Sequence, residues 1–215
     1  MHCKCRFSEL VTIQRENKNI YILLSVDVNC KLNKIIFGGK IIIGECFMKT
    51  INEIDVRNKR VVLRLDYNVP VVDGIIKDNS KIVKSLKTIN YLLENNCKVI
   101  ILSHFGRIKV EDDKTKNSLK VVAKELANLL GKNVKFLDNC YGEKVKSIID
   151  NCGLGEVILL ENTRFMDVPE KLESSNDLKL AEFWASLGDV FVNDAFGSMH
   201  RAHASTAGIC KFLPH

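Results

Sequence analysis

A chain of 215 residues, 46% hydrophobic and 27% charged, can bury one good core or two small domains and is too apolar to be disordered. Its net charge of +6 comes without a basic run or a basic stripe interleaved with aromatics, which argues against nucleic-acid binding; the same mild excess suits a site for a small anion. The longest apolar runs, such as Ile20 to Leu24 and Val99 to Leu102, are far too short to span a bilayer, and the N-terminus lacks the basic, apolar and small-residue order of a secretory signal.

Residues 1–47 stand apart from the rest. They hold seven Lys and Arg against four acids, giving +3, and four of the eight cysteines. Cys3 and Cys5 form a lone Cys-x-Cys with no second ligand pair at zinc-site spacing, so no metal is expected and the scattered cysteines read as reduced thiols of a cytoplasmic protein. Ile20 to Val28 and Lys40 to Phe47 could be strands, yet no helical pattern connects them. Residues 1–47 therefore read as an atypical extension, either a small added element or, in preference, sequence that does not pack onto the domain, and residues 48–215 as the domain proper, since Met48 opens a segment that reads as a domain start.

From Met48 onward short apolar runs alternate with amphipathic stretches. The expected strands are Arg60 to Asp66, Lys98 to Ser103, Val134 to Leu137, Val157 to Leu160 and Val190 to Val192. Their near-continuous Val, Ile and Leu content fits parallel strands covered on both faces. Between them lies a helix with Ile82, Val83, Leu86, Ile89, Leu92 and Leu93 on one face after an Asp78 or Asn79 cap. A second helix is capped by Ser118, carries Val122, Ala123, Leu126 and Leu130, and stops at Gly131. Val145, Ile148 and Ile149 mark a third; the fourth starts near Asp177, buries Leu178, Ala181, Trp184 and Leu187, and ends at Gly188. Strand and helix in repeated alternation predict an α/β fold with a doubly wound, Rossmann-like parallel sheet. In such sheets ligands bind beyond the carboxyl ends of the strands.

Those ends carry the chemistry. The first exits through Asp66-Tyr67-Asn68-Val69-Pro70, where a carboxylate and an amide two residues apart can bind a hydroxylated ligand as readily as they can form an Asx turn. The second exits through Ser103-His104-Phe105-Gly106-Arg107, the fourth through Glu161-Asn162-Thr163-Arg164-Phe165, and the fifth through Asn193-Asp194-Ala195-Phe196-Gly197 into His200-Arg201-Ala202-His203-Ala204-Ser205. A single arginine is usually a solvated surface residue. Arg107, Arg164 and Arg201, in separate loops at one sheet edge, instead predict convergence on an anion, because the guanidinium fork matches phosphate and carboxylate oxygens. No phosphate-loop or dinucleotide fingerprint occurs, so no nucleotide site is expected in this chain.

In this order the motifs from Arg64-Leu65-Asp66-Tyr67-Asn68-Val69-Pro70 to His200-Arg201-Ala202-His203-Ala204-Ser205-Thr206 closely resemble the N-terminal domain of phosphoglycerate kinase, over Met48 to Pro214. The resemblance implies one lobe of a normally two-lobed, monomeric, cytoplasmic glycolytic kinase. This lobe would bind 3-phosphoglycerate or 1,3-bisphosphoglycerate, and the other lobe magnesium-ADP or magnesium-ATP. By match to the family pattern, Asp66 and Asn68 would hold the hydroxyl and carboxylate region of the acid. His104, Arg107, Arg164 and Arg201 would form a basic patch supported by His203.

The sequence departs from that pattern at three points. Lys81 stands where the family has an arginine thought to reach the transferring phosphoryl group; it keeps the charge and loses the bidentate fork. Ile108 follows Arg107 where proline is usual. The sequence ends at Pro214-His215, where the lobe-linking helix would start, so no cofactor is expected on this chain. Two readings follow: a phosphoglycerate kinase fragment, inactive alone and binding only the acid, or a non-catalytic binding or interaction module derived from the same domain.

Overall fold

The computed structural model describes residues 50–198 and 201–215, together with the backbone of two short strands, Ile35–Phe37 and Lys40–Ile42, paired antiparallel. The possible strand from Ile20 to Val28, the remainder of Lys40 to Phe47 beyond Ile42, and the Cys3–Cys5 pair lie outside the described residues.

The central sheet has five strands: β1 (Arg60–Leu65), β2 (Lys98–Ser103), β3 (Val134–Leu137), β4 (Val157–Leu160) and β5 (Val190–Asp194). They are all parallel, in the order β3-β4-β2-β1-β5. The main helices are α1 (Ser80–Glu94), α2 (Lys120–Leu130), α3 (Glu143–Asp150) and α4 (Leu178–Ala185). Because successive strand residues point to opposite faces, each strand serves two cores. Val61, Leu63 and Leu65 join Ile82, Ile89 and Leu92 of α1 and Val122, Ala123 and Leu126 of α2 on one face. Val62, Ile100, Ile158 and Phe191 join Val145 and Ile149 of α3 and Leu180, Ala181 and Trp184 of α4 on the other. The sheet is doubly wound, as the alternation predicts.

The helix ends largely follow their local chemistry. Gly131 takes the left-handed cap of α2, and the Asp177 carboxylate accepts from Leu180 N–H at 2.8 Å to start α4. At α1 the residue in the cap position is Asn79, but the capping bond comes from its neighbour: Asp78 accepts from Ser80 N–H at 2.8 Å. Two expected core residues are exposed. Val83 is 45% accessible, because the buried stripe of α1 runs through Ile82, Ser85, Thr88, Ile89 and Leu92. Leu178 is 43% accessible, because it opens the first turn of α4, whose inward face is Leu180, Ala181, Trp184 and Ala185. The helical segment of α4 ends at Ala185, with turns carrying the chain to Gly188.

Register sets the height of the site. Leu65 of β1 lies opposite Ser103 of β2 and Asp194 of β5, so these three strands end level. Leu159 pairs with Ile101, which brings the end of β4 into the same row. The loops after all four strands therefore open on one edge.

Candidate functional site

Hydrogen bonds between loops, more than bonds within them, shape this edge. Asn162, fully buried, joins two loops with its amide: its Oδ1 accepts from Phe105 N–H and Arg164 N–H, both at 3.1 Å. Its Nδ2 donates to the carbonyls of Phe105 (2.6 Å) and Asn117 (2.9 Å). Every donor and acceptor of that amide is satisfied, which fixes the His104 loop against the Arg164 loop. Gly106 sits at φ +60°, and a Cβ there would meet Asn117 Oδ1 at 2.0 Å, so only glycine fits this turn. Its N–H donates to Asn68 Oδ1 at 3.0 Å, tying in the loop after β1.

Asp66 stands at the centre of the edge. Its Oδ2 accepts from Lys81 Nζ at 2.9 Å, and Lys81 also donates to the Asn68 carbonyl at 3.0 Å. Burial by itself would raise the Asp66 carboxyl; the Lys81 ammonium and the Asn68 N–H outweigh it and hold the group below the usual carboxylate range. Gly197 lies against this carboxylate, where a Cβ would come within 2.6 Å of Oδ2. Any side chain at 197 would displace Asp66 or the loop.

Arg64 is the residue that sequence reasoning passed over as strand interior. It points to the face opposite Leu63 and Leu65 and is fully buried. Its Nε donates to Ser205 Oγ at 2.9 Å, one terminal nitrogen donates to its own strand at the Leu65 carbonyl, and the other reaches His104 Nδ1 at 3.1 Å. Behind Ser205 lies Glu173, also fully buried. Glu173 accepts from Ser205 Oγ at 2.5 Å, Ser205 N–H at 3.0 Å and Thr163 Oγ1 at 3.2 Å. Burial pushes the Glu173 carboxyl up, against the pull of Arg64 and the Ser205 donors. A charge inside an otherwise apolar strand, Val61-Val62-Leu63-Arg64-Leu65, was the available signal for Arg64. Nothing local signals Glu173.

His104 and His203 are both held below the ordinary imidazole range. Burial, then the Arg64 guanidinium, pushes His104 down to about 3. Burial, then Arg164 and Arg64, pushes His203 down to about 4. His203 Nδ1 lies 3.8 Å from Glu173 Oε1. The groups acting on His104 are Arg64, Asp66, Arg164 and His203, and those acting on His203 include Arg164, Arg64 and Arg201. Asp66, His104, Arg164, Arg201 and His203 thus share one electrostatic neighbourhood with Arg64. Arg164 Nε is buried and finds no hydrogen-bond partner among the described residues. Arg107 follows Gly106 and is exposed. His200 lies outside the described residues. Among the described residues no group of three or more His, Cys, Asp or Glu is placed to hold a metal ion, and no helix is long and apolar enough to cross a membrane.

Comparison with known proteins assigns the family. The phosphoglycerate kinase of Fusobacterium nucleatum is 55% identical over 163 residues, covering 76% of this chain and 41% of that protein. That of Listeria innocua is 51% identical over 165 residues, covering 77% of this chain and 42% of the relative. The chain therefore spans about two-fifths of the length of the curated relatives it matches. Among solved structures, the phosphoglycerate kinase of Coxiella burnetii aligns with a TM-score of 0.65 at 36% identity over 76% of this chain and 39% of its own. That of Pyrococcus horikoshii aligns with a TM-score of 0.66 at 30% identity over 76% of this chain and 40% of its own. Residues 51–215 match the family description "Phosphoglycerate kinase", and the chain belongs to the phosphoglycerate kinase family.

Proposed function

We propose that residues 48–215 form the acid-binding lobe of a phosphoglycerate kinase, taking 3-phosphoglycerate or 1,3-bisphosphoglycerate at the edge after β1, β2, β4 and β5, and that residues 1–47 are an extension outside this lobe. The observation that carries the reading is the pair of neutral histidines with the arginines that act on them, Arg64 and Arg164 on both and Arg201 on His203, with Asp66 acting on His104 and a buried Arg164 Nε lacking a partner among the described residues. A buried unpaired donor is costly, and a bound anion would satisfy it. Asp66 and Asn68 are the groups of suitable type for the hydroxyl end of the acid. Arg107, Arg164 and Arg201 suit its phosphate and carboxylate oxygens, and His104 offers an N–H rather than a charge.

Lys81 is the catalytic candidate. Held on Asp66 and the Asn68 carbonyl, it would have to swing away to neutralise charge on a moving phosphoryl group. Phosphoryl transfer depends on positioning and charge neutralisation more than on proton chemistry, and this lobe supplies the acid's half of that task. The magnesium nucleotide of the family reaction would belong to the other lobe, and no phosphate-loop motif occurs in this sequence.

The reading is tested by calorimetric titration of the purified chain with 3-phosphoglycerate at low and high salt. Weak, saturable binding that weakens as salt rises is expected, since screening acts on the arginine contacts. Absence of heat and saturation at roughly millimolar ligand (about −4 kcal/mol of binding free energy) removes the reading.

A further inference from the structure

A buried carboxylate that touches no proposed ligand contact directly nevertheless reaches the site through two others. Arginine has only donors, so the 3.1 Å contact between Arg64 and His104 Nδ1 requires a lone pair on Nδ1. The imidazole proton then sits on Nε2. The orientation of Arg64 is set in turn by Ser205. That hydroxyl has one proton, and because it accepts from Arg64 Nε it must donate elsewhere; Glu173 Oε1 lies 2.5 Å away. Glu173 meets donors from Ser205 and Thr163, which is the environment of a carboxylate. Its own carbonyl accepts from Ala204 N–H at 3.0 Å, so the loops carrying Arg164 and Arg201 are pinned at the same point. Four residues from four segments thus form one directed chain of hydrogen bonds, in which each bond fixes the next.

We propose that Glu173 is a positioning residue of the acid site: acting through Ser205 and Arg64, it holds His104 as the tautomer protonated on Nε2, so that His104 meets the phosphorylated acid as an N–H donor. The proposal deepens the acid-site reading and rests on it for the identity of the ligand, but the form of His104 is readable without any ligand. The groups facing His104 are Arg64, Asp66, Arg164 and His203, and of these only Asp66 favours the imidazolium.

The test is nitrogen-detected magnetic resonance of the His104 ring in the full chain, followed over the ordinary histidine range of about pH 5 to 8. The Nε2–H tautomer, with no protonation across that range, is expected in the wild type. A ring protonated on Nδ1, or one titrating in the ordinary range, overturns the proposal without need of any variant. Ser205→Ala cuts the chain with the loss of one oxygen; Glu173→Gln removes the charge and keeps the shape. In either variant that folds, the Nδ1–H form should appear, and affinity for 3-phosphoglycerate should fall by roughly tenfold or more. A folded variant with the tautomer unchanged overturns the role of Glu173. Wild-type protein that shows the tautomer but fails to bind 3-phosphoglycerate keeps the chain of bonds and sinks the acid-site reading instead, so the two failures are distinct.

Discussion

Replacing His104 by asparagine reports how the folded domain holds its histidines. Burial and Arg64 keep His104 at about 3 in the folded chain, and burial with Arg164 keeps His203 at about 4. Unfolding returns both to an ordinary value of about 6.5. Their folded values are depressed, so below about pH 6.5 the unfolded chain binds more protons, and stability falls as pH falls towards the folded values. At pH 5 an unfolded histidine has gained the equivalent of about 1.5 pH units of protonation, or about 2 kcal/mol, that the folded His104 cannot match. Glu173 works in the opposite sense: its raised carboxyl takes a proton more readily folded than unfolded, so it adds stability as pH falls. The informative quantity is therefore the difference between proteins. Asparagine at 104 can still accept from Arg64 and cannot titrate. Between pH 7 and pH 5 the variant should lose about 2 kcal/mol less than the wild type, a difference of about 4–8 °C in melting temperature for a domain of this size. Thermal melts at the two pH values provide the measurement. Equal losses in both proteins would mean that His104 titrates normally in the folded chain, and the account of its buried, neutral state would fail.

Asn162→Ala removes an amide whose four hydrogen bonds join the loops after β2 and β4, and should lower stability by about 2–4 kcal/mol in denaturant unfolding. Starting the chain at Met48 should change the melting temperature by less than about 10 °C; a larger drop would show that residues 1–47 pack on the domain. The 215-residue chain alone should show no phosphoryl transfer from 1,3-bisphosphoglycerate to ADP in a coupled assay. Joined to a nucleotide lobe of the family, Lys81→Arg should raise turnover by roughly tenfold with little change in acid binding, and equal turnover in both would show that Lys81 already suffices.

The sheet was legible because a strand buried on both faces has to be apolar almost throughout. Lys98–Ser103, Val134–Leu137 and Val157–Leu160 are all read at their observed limits. β5 runs two residues past the expected Val192, because Asn193 and Asp194 pair by backbone with Arg64 and Leu65, and their polar side chains hide the pairing. Val83 and Leu178 were misplaced for a local reason: apolar spacing defines a stripe, but its edges depend on how each helix is rolled on the sheet. Site loops were legible as motifs, and the network beneath them was not. Arg64 meets Ser205 across 141 residues of sequence, and Glu173 sits in a loop whose own residues give no hint of burial. Long-range hydrogen bonding of this kind has no period for a sequence to display.

The division of charge in the site follows from what each group costs to bury. A buried guanidinium is tolerable only with its donors satisfied and an opposing charge at hand, and Arg64 has Ser205, the Leu65 carbonyl, His104 and, one bond further, Glu173. Having spent a donor on His104, Arg64 also keeps that ring from carrying a second positive charge. On the proposed reading, the net positive charge offered to an anion would fall on Arg107, Arg164 and Arg201, which are more exposed than Arg64. Lys81 and Asp66 form the complementary device. Their side chains are 44% and 15% accessible, and a partly exposed pair of this kind contributes about 1 kcal/mol or less. In the proposed site, an acid that brought a phosphate to the arginines would gain charge-assisted hydrogen bonds, each of about 1.5–3 kcal/mol, and could take Asp66 for its hydroxyl. That exchange would release the Lys81 ammonium at the moment an acid arrives, when a free cation for the moving phosphoryl group first has a use.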